Sequence, residues 1–591
     1  MLHLLFAAAV ASAACPSSDD ACVRASMEQG LKLNDLTAVG THNSYKQSLP
    51  AQELAVMVAA AGQRALGIDY GHRPLTDQLN DGARQLEIDI AQDAAGGLYA
   101  KPKTATGQGE LLSPANAAIM AKPGYKVLHM QDVDFRSTCL TFVACLGEVR
   151  AWSKANPTHA PILILINAKE GGPNLPGGVI APTYDAKAFD ALDAEIRSVF
   201  SEAELITPDQ VQGKKPTLRE AVLAGGWPTL GAARGKVFFA LDESTEKVAV
   251  YRGARRSLEG RAMFVNTDEA SPAAAYLTLN DPIAEQARIQ AAVKAGFVVR
   301  TRADADTWEA RANDPRRRSA AFSSGAQYVS TDYMRPDPRF AGGYFARLPG
   351  GAAAVCNTVR AADQCRGLAI EAEKGAPVRG YLAPAERPDL TVVMAQPPAP
   401  GSPKALADAA IFRDTRALQG TARWALATSD VNGHMYDHFA AALGVRIRPE
   451  QAPILTALLD RSGDDRSVVG VAKTHWGTKR PYLGTDLPIC EAKSDHLAGN
   501  PDYPSGHSAH GMHVGLILAE LAPQRKTELL ARGREYAESR YICGAHSYSA
   551  AEAGIIGGMA IFAAEHASPL FRQDMDAARA EVAAALSGAG L

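Results

Sequence analysis

Past its first residues the sequence has no apolar run long enough to cross a bilayer. The longest, Ala553–Ala564, is well short of the roughly 20 residues a spanning helix needs. That excludes a transmembrane span and leaves a buried helix of small residues as the reading. No basic block is present, and the formal net charge is −3, so nucleic acid is excluded as a partner on electrostatic grounds. There is no internal repeat, which excludes a solenoid or propeller. No cysteine spacing matches a zinc site. The apolar run Leu4–Val10 lacks the usual preceding Lys or Arg.

What is present points to a large globular protein. A chain of 591 residues exceeds one ordinary hydrophobic core, so two large domains are expected. Leu4–Val10 is followed by Ala11-Ser12-Ala13, which reads as a signal peptide over residues 1–14 and a periplasmic or secreted destination. Cys15 comes next, so a lipoprotein signal is the other reading of this end. Of the eight cysteines, six form close pairs, Cys15/Cys22, Cys139/Cys145 and Cys356/Cys365, while Cys490 and Cys543 remain. An even count with local spacing fits disulfides in an oxidising compartment.

Residues 15–345 carry apolar, β-branched runs separated by helical or loop stretches. The runs are Leu36–Val39, Gln85–Ile90, Lys126–Met130, Ile162–Asn167, Lys236–Leu241, Ala262–Thr267, Phe297–Arg302 and Tyr328–Thr331. Such alternation predicts a parallel sheet, and this number of units a closed (β/α)8 TIM-like barrel, whose chemistry sits at the C-terminal ends of the strands. Residues 346–402, with their Pro-rich end, read as a linker. From 403 to 591 the strand signal fades into Ala- and Leu-rich segments, which predict an all-α domain.

Three segments of the helical half carry chemistry: Lys473 to Arg480-Pro481, Pro504-Ser505-Gly506-His507, and Ser539-Arg540 to His546. Lys473, Arg480 and Arg540 are cations suited to phosphate oxygens. Ser505 and Gly506 open an apolar helical segment, and N–H groups at a helix start favour an anion. His507 and His546 can divide the work of nucleophile and acid. Each segment alone reads as a helix cap or a solvated face; together, in this order, they read as a phosphate site.

These segments resemble the class A bacterial acid phosphatases of the type 2 phosphatidic acid phosphatase superfamily, whose motifs K-x6-R-P, P-S-G-H and S-R-x5-H all stand here. The likeness extends back to Tyr381–Pro384 and Phe412–Trp424. It implies His546 as the nucleophile that forms a phosphohistidine, His507 as general acid, and Lys473, Arg480, Ser505, Gly506 and Arg540 as phosphate ligands, with no metal. The family's orienting Asp is replaced by Ala550. Losing such a carboxylate can cost orders of magnitude in rate, so a phosphate-binding module without turnover is the alternative.

In the barrel half, polar groups stand at the ends of the first runs: His42-Asn43, Glu87 with Asp89, His129 with Asp132 and Asp134 after it, and Asn167 with Lys169 and Glu170 beyond. Paired histidines can move a proton off an attacking hydroxyl and onto a leaving alcohol. Nearby oxygens suit Ca²⁺. Gly40–Tyr45, Arg84–Asp89, Val127–Cys139 and Pro161–Glu170 resemble the calcium-dependent phosphoinositide phospholipase C-like proteins. The resemblance implies His42 as general base on an inositol 2-hydroxyl, His129 as general acid, and Asn43, Glu87 and Asp89 as calcium ligands. Asn167 stands where such enzymes place a fourth, acidic ligand, so weaker calcium binding is expected.

The combined expectation is an exported phosphoesterase acting on phosphate esters, including phosphoinositide lipid at a membrane surface. A chain that only binds anionic head groups is the non-enzymatic alternative.

Overall fold

The computed structural model describes residues 20–589, apart from 104–112, 174–175, 341, 363, 375, 378–379, 449–450 and 463; the side chains of 464–467 are also left undescribed. The signal-peptide reading of residues 1–14 and the Cys15 half of the first cysteine pair lie outside the described residues.

Strand β1 is Leu36–Thr41, β2 Gln85–Ala91, β3 Lys126–Val127, β4 Ile162–Lys169, β5 Val237–Leu241, β6 Met263–Val265, β7 Tyr276–Thr278, β8 Val298–Arg302, β9 Tyr328–Thr331, β10 Ala352–Cys356 and β11 Glu371–Ala372. Eight of them lie side by side in the order β6-β5-β4-β2-β1-β9-β8-β7. All neighbouring pairs in that series are parallel. The two ends of the series meet in a parallel bridge, Asn266 to Tyr276, which makes a nearly closed barrel. Strands covered on both faces should be apolar throughout, and β1, β2 and β5 are buried along their whole length.

One member of the expected strand set differs. Lys126–Met130 is not a barrel stave. Only Lys126–Val127 pairs, antiparallel, against Ile90 and Ala91 at the end of β2. The apolar pattern there reflects burial over the barrel rim, where Lys126 Nζ lies 3.0 Å from Asp93. The missing stave is β7, a three-residue strand too short to announce itself by periodicity. Beyond the eight staves, β10 runs antiparallel to β1, and β11 pairs with β10, so residues 352–356 and 371–372 are built onto the barrel.

The C-terminal half is helical. Helices Gly506–Leu521, Lys526–Cys543 and Tyr548–Glu565 pack closely, around a core that includes Ile517, Leu518 and Leu529. Small residues permit the approach: a Cβ on Gly558 would lie 2.3 Å from the Ala509 carbonyl oxygen. This is the Ala- and Gly-rich helix that the sequence marks as buried. Among the described residues no single helix is long and apolar enough to cross a membrane. The halves touch through the last helix, Pro569–Gly588: Gly350 N and Tyr381 Oη donate to Asp574 Oδ2 at 2.5 and 2.6 Å, and Ser319 Oγ donates to Glu581 at 3.0 Å.

Disulfides join Cys139 to Cys145, Cys356 to Cys365 and Cys490 to Cys543. The last ties the loop that holds Glu491 to the end of the helix that carries Arg540.

Candidate active sites

The barrel mouth gathers the expected residues from staves β2 and β4 and from the turns after β1 and β3. His42 and Asn43 follow β1, and Asn43 takes a left-handed backbone conformation, φ 48°. Glu87 and Asp89 project from one face of β2. Register sets Asp89 beside Asn167 of β4. His129 stands in the turn after β3, closed by mutual bonding of Met130 and Asp134, rather than at the end of a stave.

Each histidine is held through Nδ1 by a carboxylate. His42 Nδ1 lies 2.8 Å from Asp332 Oδ1, and His129 Nδ1 lies 2.9 Å from Asp134 Oδ2. If Nδ1 carries the proton in each, the Nε2 atoms are left free for proton transfer. A consistent network follows at His42: Tyr70 Oη donates to the Asn43 amide oxygen at 2.8 Å, and the Asn43 nitrogen faces Asp89 at 3.3 Å. Burial, then Arg302 and Arg300, keep His42 well below the usual histidine range, so it is a neutral base at rest.

The expected calcium ligands carry positive partners of their own. Glu87 Oε2 is 2.6 Å from Arg300 Nη2, and Asp89 Oδ2 is 2.8 Å from Lys169 Nζ. Burial pushes Glu87 up to about 7 against the pull of Arg300. Burial opposes the charge on Lys169, but Asp89 and then Glu87 outweigh it and hold its pKa above the ordinary lysine value. The Nδ2 of Asn167 meets no acceptor among the described residues. No group of three or more His, Cys, Asp or Glu among the described residues could hold a metal ion. As arranged, Asn43, Glu87, Asp89 and Asn167 do not fit a dication unless Lys169 leaves.

The helical site draws on Lys473 in helix Asp464–Trp476, Arg480 after it, the start of helix Gly506–Leu521, and the end of helix Lys526–Cys543 with the turn beyond. Lys473, Arg480, Arg540 and His546 are all buried, while His507 stands exposed at the opening. Arg480 Nη1 lies 3.1 Å from His546 Nε2. Arg540 pairs with Glu491 through Nη2, and its Nε and Nη1 have no acceptor among the described residues. Ser505 caps its helix, accepting from Ser508 N at 3.3 Å, and its hydroxyl lies 2.9 Å from Ser508 Oγ. Gly506, next in the chain, would carry a Cβ 3.9 Å from Val469 Cγ1, an ordinary contact.

The charges act on one another. Arg540 above all, with His546, holds His507 well below the usual range. Burial, then Lys473, Arg480 and Arg540, do the same to His546. Burial with Arg480 brings Lys473 down to about 7. Lys473, Arg480, Arg540 and the two imidazoles thus act on one another's charge, and Arg480 touches His546 directly.

Sequence reasoning missed the residue that holds His546. Asp502 Oδ1 lies 3.0 Å from His546 Nδ1, and the Asp502 carbonyl oxygen 2.7 Å. Ser547 fixes this carboxylate in turn, with N to Oδ1 at 3.0 Å and Oγ to Oδ2 at 2.6 Å. Its position three residues before Ser505 was the available signal. In the barrel, Asp332 was missed likewise; it directly follows β9, at the chemically active end of a stave. Arg300 and Arg302, also unassigned by sequence, complete the mouth.

Comparison with known proteins places both halves. Residues 31–358 match the family described as phosphoinositide phospholipase C, Ca²⁺-dependent, and residues 461–573 match the PAP2 superfamily. An acid phosphatase of Zymomonas mobilis is 36% identical over 241 residues, 40% of this chain and 90% of that protein. A non-specific acid phosphatase of Providencia stuartii is 32% identical over 211 residues, 34% of this chain and 84% of that protein. Among solved structures, a calcium-dependent phosphoinositol-specific phospholipase C from a Pseudomonas species aligns with 56% of this chain and 96% of its own, at 18% identity and TM-score 0.35.

Proposed function

We propose that this chain, which belongs to the Ca²⁺-dependent phosphoinositide phospholipase C family through its barrel and to the PAP2 acid phosphatases through its helical half, runs two phosphoester reactions in series. The chain is a phosphatase and phosphodiesterase hydrolase. The finer mechanism below is our reading, and the observation that carries it is the bond between His546 Nδ1 and Asp502.

In the helical site, Lys473, Arg480, Arg540, the Ser505 hydroxyl and the Gly506 N–H hold a phosphomonoester. Asp502 keeps the proton on His546 Nδ1 and so leaves the lone pair on Nε2, which Arg480 Nη1, 3.1 Å away, gives up on turning to the phosphate oxygens. That lone pair forms the N–P bond as the P–O ester bond breaks, and His507 gives its proton to the departing oxygen. The bound dianion offsets the cations that depress His507, so the acid is charged when it is needed. Water, deprotonated by His507, then releases inorganic phosphate and frees His546. Asp502 thus does the orienting work that Ala550 cannot, which favours turnover over a passive binding module.

In the barrel, His42 Nε2 takes the proton of an inositol 2-hydroxyl, whose oxygen attacks phosphorus. The bond to the alcohol breaks as His129 supplies its proton. Water and the same histidines, with roles reversed, open the cyclic diester to a monoester. That product is the substrate class of the helical site. The lipid form of the diester and a membrane surface as its source belong to this proposal, as does export. The three disulfides support export, since such bonds persist in oxidising compartments.

The test is p-nitrophenyl phosphate hydrolysis at acidic pH. His546→Ala should lose roughly 10⁴-fold or more, and acid-labile, alkali-stable phosphoryl protein should be trapped only with His546 present. Equal turnover by the wild type and His546→Ala would refute the reading.

A further inference from the structure

Adjacent strands set the barrel's ionic groups in one layer. Parallel register pairs Asp89 with Asn167 and Ala91 with Lys169, so Glu87, Asp89, Asn167 and Lys169 rise from the same face of β2 and β4. The Asp89 side chain is fully buried, and the Lys169 ammonium sits 2.8 Å from it. Arg300 holds Glu87 at 2.6 Å, and Asn280 and Ser330 hold Arg300 at 2.5 and 3.0 Å. The Asn43 amide nitrogen turns toward Asp89 as well. Both carboxylates are therefore neutralised by side chains fixed in place.

A calcium ion takes six to eight oxygens and draws its affinity from uncompensated carboxylates. Here Glu87 and Asp89 are already paired, and Asp242 after β5 likewise faces the charges of Arg300 and Lys169. A dication between them would stand against the charges of Lys169 and Arg300. Asn167 offers an amide in place of a further carboxylate, and its buried Nδ2 has no acceptor among the described residues. An unpaired buried donor beside an ammonium suits an anion's oxygen rather than a metal.

We infer that the Lys169 ammonium is the resident cation of the barrel site: it holds a non-bridging oxygen of a phosphodiester, with Asn167 Nδ2 as the second donor, and the site works without calcium. Lys169 is in reach of both tasks a metal would perform, offsetting charge on the phosphoryl group and favouring the ionised form of the attacking hydroxyl. A fixed ammonium does so with a single charge, which matches a diester monoanion. The inference rests on the diesterase reading of the barrel.

The experiment uses the full chain, stripped with EDTA and assayed on an inositol phosphodiester in excess EGTA or in millimolar calcium, with calcium binding followed by titration calorimetry. Equal rates in both buffers and no binding heat are expected. Lys169→Met should lose on the order of 100-fold in either buffer, as for loss of one oxyanion donor. Asn167→Glu combined with Lys169→Met should bind calcium and cleave only in its presence. Silencing of the wild type by EGTA, together with micromolar calcium binding, would overturn the inference. If no diester is cleaved under any condition, the diesterase reading fails instead, and the calorimetry still decides whether the site takes calcium.

Discussion

The two halves, each proposed to hold a phosphoryl group between two imidazoles, differ in their electrostatics. In the barrel, Arg300, Arg302, Lys169 and Lys46 face Glu87, Asp332, Asp89 and Asp134, each cation paired with a carboxylate at 3.4 Å or closer. In the helical half, the carboxylates that act on Lys473, Arg480 and Arg540 among the described residues are Asp502 and Glu491, and Arg540 Nε and Nη1 have no acceptor there. The ion-paired pocket, to which Asp242 and Asp304 add further carboxylates, suits a ligand of lower charge, such as a diester. The positive pocket suits a monoester dianion. What is common is subtler: His42, His129 and His546 each have Nδ1 on a carboxylate, supplied by Asp332, Asp134 and Asp502.

If that shared device is what makes the helical half an enzyme, Asp502→Asn should reduce kcat on p-nitrophenyl phosphate by about 10³-fold with little change in KM. Introducing Ala550→Asp into that variant should recover part of the loss. A drop confined to KM, or no rescue, would mean Asp502 only supports the fold. Next in size, His42→Ala or His129→Ala should each cost roughly 10²-fold or more in diester cleavage while leaving p-nitrophenyl phosphate hydrolysis unchanged. With the diester as the sole substrate, phosphate release should fall in step; release that persists in His42→Ala would break the proposed coupling of the halves.

The smallest effect concerns the seam between them. Burial pushes both Asp574 and Glu581 up to about 7. A carboxyl whose folded pKa is raised is neutral in both states at low pH and costs the folded state more as it ionises. Stability should therefore be greatest below about pH 4 for these groups and decline as pH rises through 7. Asp574→Asn should flatten that decline, raising Tm at pH 8 by roughly 2–4 °C relative to the wild type. Parallel Tm–pH curves for the two proteins would exclude Asp574 as a source.

Much was legible without coordinates because it is local. The β-branched runs of β1, β2, β4, β5 and β9 declare buried parallel strands. The stave count was legible too, although one member was not: Lys126–Met130 mimics a strand, and Tyr276–Thr278 is too brief to show a period. The motifs around His42, His129, His507 and His546 carry their chemistry in residue type and spacing.

The sequence by itself determined the two architectures and singled out the four histidines and the three cations proposed for the sites, since periodicity and short motifs survive in one dimension. Only the tertiary structure decided what those groups face. Asp502 reaches His546 across 44 positions, Asp332 reaches His42 across 290, and Arg300 reaches Glu87 across 213. Strand register, not sequence proximity, brings Lys169 onto Asp89. Electrostatic pairing falls off with distance in space, and distance in space between residues so far apart in the chain exists only once it has folded.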